Sequence, residues 1–232
     1  MDSVSAKHGL SATAMVGLLA GLAATLPLAA VAQEGAFEDV EIFVVYSSSD
    51  EDAQVFVQGG ADDPIVSVKA FGPGNAVKLK LDIRDGDDLG YADFVFESPE
   101  PSLEELEVAY PAGEYRFRGV SAEGDILTGE ADLSYELLDA PVPIFPVDGD
   151  EDIPTNGVNA MWEEIEDAEA IRLEVEDEEE EVALKVDLPG DATSFSLPNG
   201  WLQPGTEYVL DIKAIAEDGN QTVTDLRFTT AE

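Results

Sequence analysis

The sequence predicts an all-β protein made of two β-sandwiches in series, on three observations. Apolar and polar residues alternate with period two over long stretches, as in half-buried strands: Tyr208, Leu210, Ile212 and Ala214 fall on one side, and Glu207, Asp211 and Lys213 on the other. Turn dipeptides such as Pro204-Gly205 punctuate these runs. The third observation is a repeat. Pro111, Gly113, Glu114 and Tyr115 followed by Glu123-Gly124 parallel Pro204, Gly205, Glu207 and Tyr208 followed by Asp218-Gly219, at an offset of 93 residues between the two tyrosines. A Tyr that opens a late strand just after such a turn has the setting of a tyrosine corner, in which the ring is buried and the hydroxyl bonds to backbone a few residues upstream. Chance recurrence of turn residues is the competing explanation of the repeat.

The chain has 232 residues and no Cys, enough for one or two domains that bury a core without cross-links. Residues 1–32 carry the pattern of a signal peptide: Lys7 and His8, an apolar run over 14–26, Pro27 as a breaker, and Ala30-Val31-Ala32 before Gln33. Cleavage after Ala32 and Sec-type export to the periplasm or the outside are expected. The uncharged run 9–32 also approaches the roughly 20 residues that span a bilayer, so an uncleaved anchor is the alternative. Its Ala and Gly content, the break at Pro27 and the small residues at 30–32 favour a leader. With no Cys after the run, a bacterial lipid anchor is not expected.

Residues 33–140 read as one β-rich, sandwich-like unit. Val40, Ile42, Val44 and Tyr46 alternate with Glu41, Phe43 and Val45, which makes the first strand apolar on both sides and places it centrally. An acidic loop over 47–53 follows, then a strand with Val55 and Val57, a turn at Gly59-Gly60, and a strand with Val66, Val68 and Ala70 up to a turn at Gly72-Pro73-Gly74-Asn75. Val77, Leu79 and Leu81 alternate with Lys78 and Lys80, and a second acidic loop over 82–88 leads into a strand over 91–97. Ser102-Leu103-Glu104-Glu105 has capping-box spacing and predicts a short helix near 102–107. Tyr115 and Phe117 then open a strand, and a turn at Glu123-Gly124-Asp125 leads to a last strand with Ile126, Leu127 and Leu133.

Pro141, Pro143 and Pro146 hold residues 141–146 extended, so this stretch is expected to serve as a stiff linker, and its end as a first edge strand, between separated units. The pattern Leu202, Pro204, Thr206, Tyr208, together with Trp162 and the strand runs around it, resembles a fibronectin type III domain over residues 143–232. That resemblance implies an Ig-like sandwich with an edge strand at 143–146 and Trp162 in the second strand. Ala168, Ile171, Leu173 and Val175 fit the third, 182–188 the fourth, Phe195 and Leu197 the fifth, 208–214 the sixth, and Leu226 with Phe228 the last. Ile171 stands where the family usually has Tyr. Tyr208, Trp162 and, in the first half, Tyr115 are the structural residues expected inside. The passage 163–181 has 12 acids in 19 residues and high helix propensity, but Ile171, Leu173 and Val175 alternate with Arg172, Glu174 and Glu176, a pattern that a helix does not bury on one face. Both halves together resemble fibronectin type III domain-containing exported bacterial proteins, which implies no activity.

The formal net charge is −40, from 51 acidic and 11 basic side chains. It is spread evenly: residues 33–140 carry 26 acids and 6 bases, and residues 141–232 carry 24 and 4. Acids distributed over strands with intact apolar faces form a solvated shell rather than a disordered tail. Such a shell repels nucleic acid and anionic membrane. It suits high salt, as in a halophile, or divalent cations.

His8 is the only histidine and falls in the expected leader, so the mature chain would have neither His nor Cys. That removes Ser-His-Asp and Cys-His catalysis, histidine bases, thiol redox chemistry and zinc sites built on nitrogen or sulfur. Gly72-Pro73-Gly74 lacks the rest of a phosphate loop. Carboxylate chemistry remains, because a glycosidase needs two acids about 5–10 Å apart, but so many acids form such pairs by chance.

Three loops offer oxygen ligands for calcium. They are Asp50-Glu51-Asp52, the stretch with Asp85 and Asp87, and the stretch with Asp148, Asp150 and Asp152; none has EF-hand spacing, and solvated turns are the plainer reading. Trp201, after the Asn199-Gly200 turn, is a candidate sugar contact. Arg84-Asp85-Gly86 holds the residues of an adhesion tripeptide in the wrong order, and Asn220-Gln221-Thr222 is a glycosylation sequon. The sequence thus points to a non-catalytic exported module that binds a protein or polysaccharide partner, or acts as a spacer. The alternatives are a carbohydrate-binding accessory module or carboxylate glycosidase, and a calcium-stiffened structural protein.

Overall fold

A computed structural model of the chain describes residues 34–82, 89–177 and 182–232. The first half comprises β1 (Glu34–Ala36), β2 (Glu38–Ser47), β3 (Asp52–Phe71), β4 (Val77–Asp82), β5 (Tyr91–Glu97), α1 (Leu103–Ala109), β6 (Gly113–Ser121) and β7 (Ile126–Leu133). The second half comprises β8 (Pro143–Phe145), β9 (Asp150–Ile153), β10 (Asn159–Trp162), β11 (Ala170–Asp177), β12 (Val182–Pro189), β13 (Ser194–Ser196), β14 (Glu207–Ile215) and β15 (Gln221–Thr230). The protein is all-β, with α1 a short exception.

In the first half β2 is central, antiparallel to β3 on one side and parallel to β15 on the other. Both of its faces are covered: Ile42 and Val44 join the core, while Phe43 stacks on Phe56 with ring centroids 5.5 Å apart. Gly59-Gly60 does not turn the chain as the sequence predicts. Instead β3 continues for 20 residues. Its first part pairs with β2 and β5 and its second with β6 and β4, with a register shift between Gly60 and Ile65. The two glycines serve close packing: a Cβ on Gly59 would stand 3.0 Å from Val40 Cγ2, and one on Gly60 2.6 Å from Asp93 Oδ1. One strand therefore belongs to both layers, with Val44, Val57, Val68, Phe94, Tyr115 and Phe117 among the residues packed in the core. The capping box forms at α1, where Ser102 Oγ accepts from Glu105 N and Ser102 N donates to Glu105 Oε2, both at 3.4 Å, and the helix seats Leu106 in the same core.

The second half is a sandwich. β12, β11, β14 and β15 form one layer and β13, β10 and β8 the other, with Trp162, Ile171, Leu173, Leu210, Ile212 and Phe228 in the core. The glutamate-rich passage is extended through β11, where Ile171, Leu173 and Val175 are buried and Arg172 and Glu174 are not. A tyrosine hydroxyl bonded to backbone just upstream closes both halves, with opposite donor direction in the two. Tyr208 is buried and its hydroxyl accepts from Gln203 N at 2.8 Å, while buried Tyr115 donates from its hydroxyl to Pro111 O at 3.0 Å. Burial, and then the neighbouring Tyr110, pushes the Tyr115 phenol up to about 12.

The two cores do not stand apart on a stiff linker. Residues 221–223 of β15 pair in parallel with 45–47 of β2, which makes one 12-stranded sheet. Ser48 donates to Val223 O from both its N–H and its hydroxyl, each at 2.8 Å. Asn220, 2% exposed, closes the seam: its Oδ1 accepts from Val44 N at 2.8 Å, and its Nδ2 donates to Ser134 Oγ at 2.9 Å and Asp218 Oδ2 at 3.0 Å. Thr222 donates from its hydroxyl to Leu138 O at 2.9 Å, so the chain just before the prolines is tied in as well. Prolines extend a connection, but they do not stop two open sheet edges from satisfying each other's backbone groups. The sequon asparagine is consumed inside the fold.

Asn220→Ala leaves the Val44 N–H buried without its acceptor, and urea denaturation is expected to show a loss of about 1–3 kcal/mol of unfolding free energy. Tyr208→Phe, which deletes one corner hydrogen bond, is expected to cost about 1 kcal/mol. No loss for Asn220→Ala would contradict the seam.

Candidate functional site

The cations of the two halves are used in opposite ways. In the second half they meet acids: Arg172 Nε lies 2.5 Å from Asp187 Oδ1, Lys185 Nζ 2.6 Å from Glu174 Oε1, and Lys213 Nζ 2.9 Å from Glu174 Oε2 and 3.4 Å from Asp211 Oδ2. Register arranges this, since Arg172 sits opposite Asp187, and Glu174 sits between Lys185 on β12 and Asp211 on β14. Burial opposes the charge on Glu174, but the hydrogen bonds from Lys185 and Lys213 outweigh it and hold the carboxyl below the usual range. Asp211 goes the other way. Burial pushes it up against the pull of Lys213, with repulsion from Glu174 and Asp225 added.

In the first half three cations meet one another. Arg118 on β6 lies opposite Lys69 on β3, and Lys69 lies opposite Lys80 on β4. Directly opposed residues share a face of the sheet, so the three stand in one row across three strands at about 5 Å per step. All three are exposed, and none forms an ion pair among the described residues. The direction of Arg116 and Arg118 follows from β6, whose Tyr115 and Phe117 are buried and whose alternate residues must then face out. Arg116 donates to Asn75 Oδ1 and lies opposite Glu130 on β7. Beside the row is a concavity of about 560 Å³ lined by Phe71, Asn75, Arg116, Arg118, Thr128 and Glu130. That size falls within the roughly 300–1,000 Å³ of small-ligand sites. Its guanidinium forks suit carboxylates and other oxyanions. Little in the sequence announces the row, because its members are scattered over residues 69–118 and only the strand register aligns them.

The residues singled out by sequence are placed differently. Asp148, Asp150 and Asp152 do not form a cage: Asp148 Oδ1 accepts from Arg227 N and Asp150 Oδ2 from Val147 N, both at 3.0 Å, and Asp150 to Ile153 run beside β15 as β9. Asp85 and Asp87 lie outside the described residues. Among the described residues the acids that do converge are Asp63, Glu123 and Asp125, with oxygens within 4.8 Å of one another. Trp162 is 1% exposed and its Nε1 donates to Ala192 O at 2.8 Å. Trp201 is half-buried and packs on the second core, its ring centroid 5.5 Å from that of Tyr208.

Comparison with family models and with curated proteins finds no match. Among solved structures the chain is similar to fibronectin type III domains 1–3 of chicken CNTN1, at 13% identity and a TM-score of 0.34, covering 85% of this chain and 66% of that one. It is similar to a two-domain fibronectin type III segment of chicken tenascin, at 14% identity and a TM-score of 0.33, covering 84% and 100%. A third is the fibronectin(III)-like modules of Clostridium thermocellum CbhA, at 7% identity and a TM-score of 0.34, covering 84% and 93%.

The two perturbed carboxylates make opposite predictions for pH. Glu174 titrates below its unfolded value, so its pairing stabilises the fold at neutral pH and is lost as pH falls through the folded value. Glu174→Gln is expected to cost about 1–2 kcal/mol at pH 7, and less in acid. Asp211 titrates above its unfolded value, so protonation relieves it, and Asp211→Asn is expected to raise the melting midpoint at pH 7. Thermal melts of both variants from pH 3 to pH 7, on the order of the carboxylate range, check the two signs.

Proposed function

We propose that the protein is an exported, non-catalytic binding module whose second sandwich and seam hold the cationic face of the first in a fixed setting. The observation that carries this reading is the row Lys80, Lys69 and Arg118 beside the largest concavity described. Like charges directly opposed across strands destabilise a sheet. A chain with 51 acids has ample means to place a carboxylate in such a row, and the second half does so. An arrangement that costs stability and sits exposed is what a contact face requires.

Export is supported by the charged start, apolar run and small residues of 1–32. The non-catalytic reading is supported by chemistry, since residues 33–232 contain no His and no Cys. A second reading, a carboxylate glycosidase, has one observation in its favour: Asp211, with its raised carboxyl, lies directly opposite Asp225 on β15. Lys213 already engages Asp211, which favours a structural use for that pair.

Expression with the leader is expected to yield an exported mature protein whose mass begins at Gln33; a full-length chain in the membrane contradicts cleavage in favour of the uncleaved anchor, and a full-length chain in the cytoplasm contradicts export. The purified protein is expected to hydrolyse no chromogenic glycoside above the level of Asp211→Asn, and an activity that the substitution abolishes overturns the non-catalytic reading. Self-repulsion within the acidic shell is relieved by screening, so the melting midpoint is expected to rise between about 0.05 M and about 2 M salt. A flat response contradicts the shell.

A further inference from the structure

Building on the binding-module reading, we propose that the row of Lys80, Lys69 and Arg118 with the adjoining concavity binds a carboxylate-bearing polysaccharide. The row is a ladder of positive charge with steps of about 5 Å set by strand spacing. That spacing is close to the length of one sugar unit; in an extended polymer alternate units face the same way, so carboxylates on one side recur every second step and meet Lys80 and Arg118 at the two ends of the row, about 10 Å apart, with Lys69 between them. The concavity supplies the rest of a sugar's chemistry. Phe71 offers an apolar ring edge, Asn75 and Thr128 offer amide and hydroxyl groups for sugar hydroxyls, and Arg116 and Arg118 offer paired donors for a carboxylate.

Other anions fit less well. Single-stranded nucleic acid is held by several exposed aromatic platforms along a basic groove, whereas of the two aromatic rings lining this concavity among the described residues Phe117 is buried and Phe71 is partly exposed. A membrane surface would bring the acids of the remaining shell against anionic headgroups.

The overall charge dictates an unusual salt response. At about 0.01 M salt the screening length is about 30 Å, and a polyanion feels the whole molecule at −40. At about 0.15 M it is about 8 Å, so the ladder acts alone; at about 1 M it is about 3 Å, and the ladder too is screened. Binding therefore peaks at intermediate salt, in contrast to the steady decline of an ordinary cationic protein.

Titration calorimetry of the purified protein with polygalacturonate tests this, with dextran, poly-dT and phosphatidylserine vesicles as comparisons at the same three salt concentrations. The expected result is binding of polygalacturonate that is strongest near 0.15 M salt, and a loss of about tenfold or more in the double variant Lys69→Gln with Arg118→Gln. The variant's melting temperature is expected to be unchanged or higher, because a like-charge contact is removed. If it melts lower, Lys80→Gln at the end of the row carries the same comparison. Absence of binding at every salt concentration, affinity unchanged in the variants, or equal affinity for dextran, poly-dT or vesicles overturns the polysaccharide assignment. Each of those results leaves the binding-module reading standing, since that reading falls on hydrolysis or on failure of export.

Discussion

A chain at −40 has few cations to place, and their placement determines which carboxylates can be brought under cover and which face of the molecule turns positive. In the second half Glu174 and Asp211 lie partly buried on the outer side of the β12, β11, β14 layer, and Lys185 and Lys213 make that position tolerable. Partial burial of a charge needs a hydrogen-bonded counter-charge, so these lysines are committed to the fold. In the first half no acid forms an ion pair with Lys69, Lys80 or Arg118 among the described residues. Lys78 and Arg116 bond to Ala109 O and Asn75 Oδ1, but Lys69, Lys80 and Arg118 form no ion pair among the described residues, and the register of β3, β4 and β6 lines them up.

The seam makes this division stable. A sandwich with open edges exposes unpaired backbone donors and acceptors, and here the edge of one half finds the edge of the other through β2 and β15. Asn220 finishes what the short parallel pairing begins, because its side chain satisfies a backbone donor of β2 and reaches the segment that leaves β7. The cationic face is consequently carried on a continuous sheet rather than on a tethered domain.

Much of the fold was legible because side-chain alternation reports which face of a strand is buried. β2, β5, β6, β11 and β14 follow that signal, and the capping box at Ser102 marked α1 from four residues. Gly59-Gly60 misled because glycine serves turns and close packing equally well, and only the neighbours Val40 and Asp93 decide between them. The seam was hidden for a different reason. Asn220-Gln221-Thr222 reads locally as a modification signal, while its partners lie about 85 and 176 residues away. Trp201 is half-buried, in keeping with its place beside a turn, and what the sequence did not show is that its ring packs against Tyr208. The cationic row was the least legible feature, being a property of register between strands rather than of any one segment.

The central claim is that Lys69 stands in a row that works against the fold, whereas Lys213 stands where the fold requires it. Chemical denaturation of Lys69→Glu and Lys213→Glu compares the two directly, since each makes the same change in net charge. The account predicts that Lys69→Glu raises the unfolding free energy by about 0.5–1 kcal/mol, while Lys213→Glu lowers it. Equal destabilisation by both substitutions would contradict it.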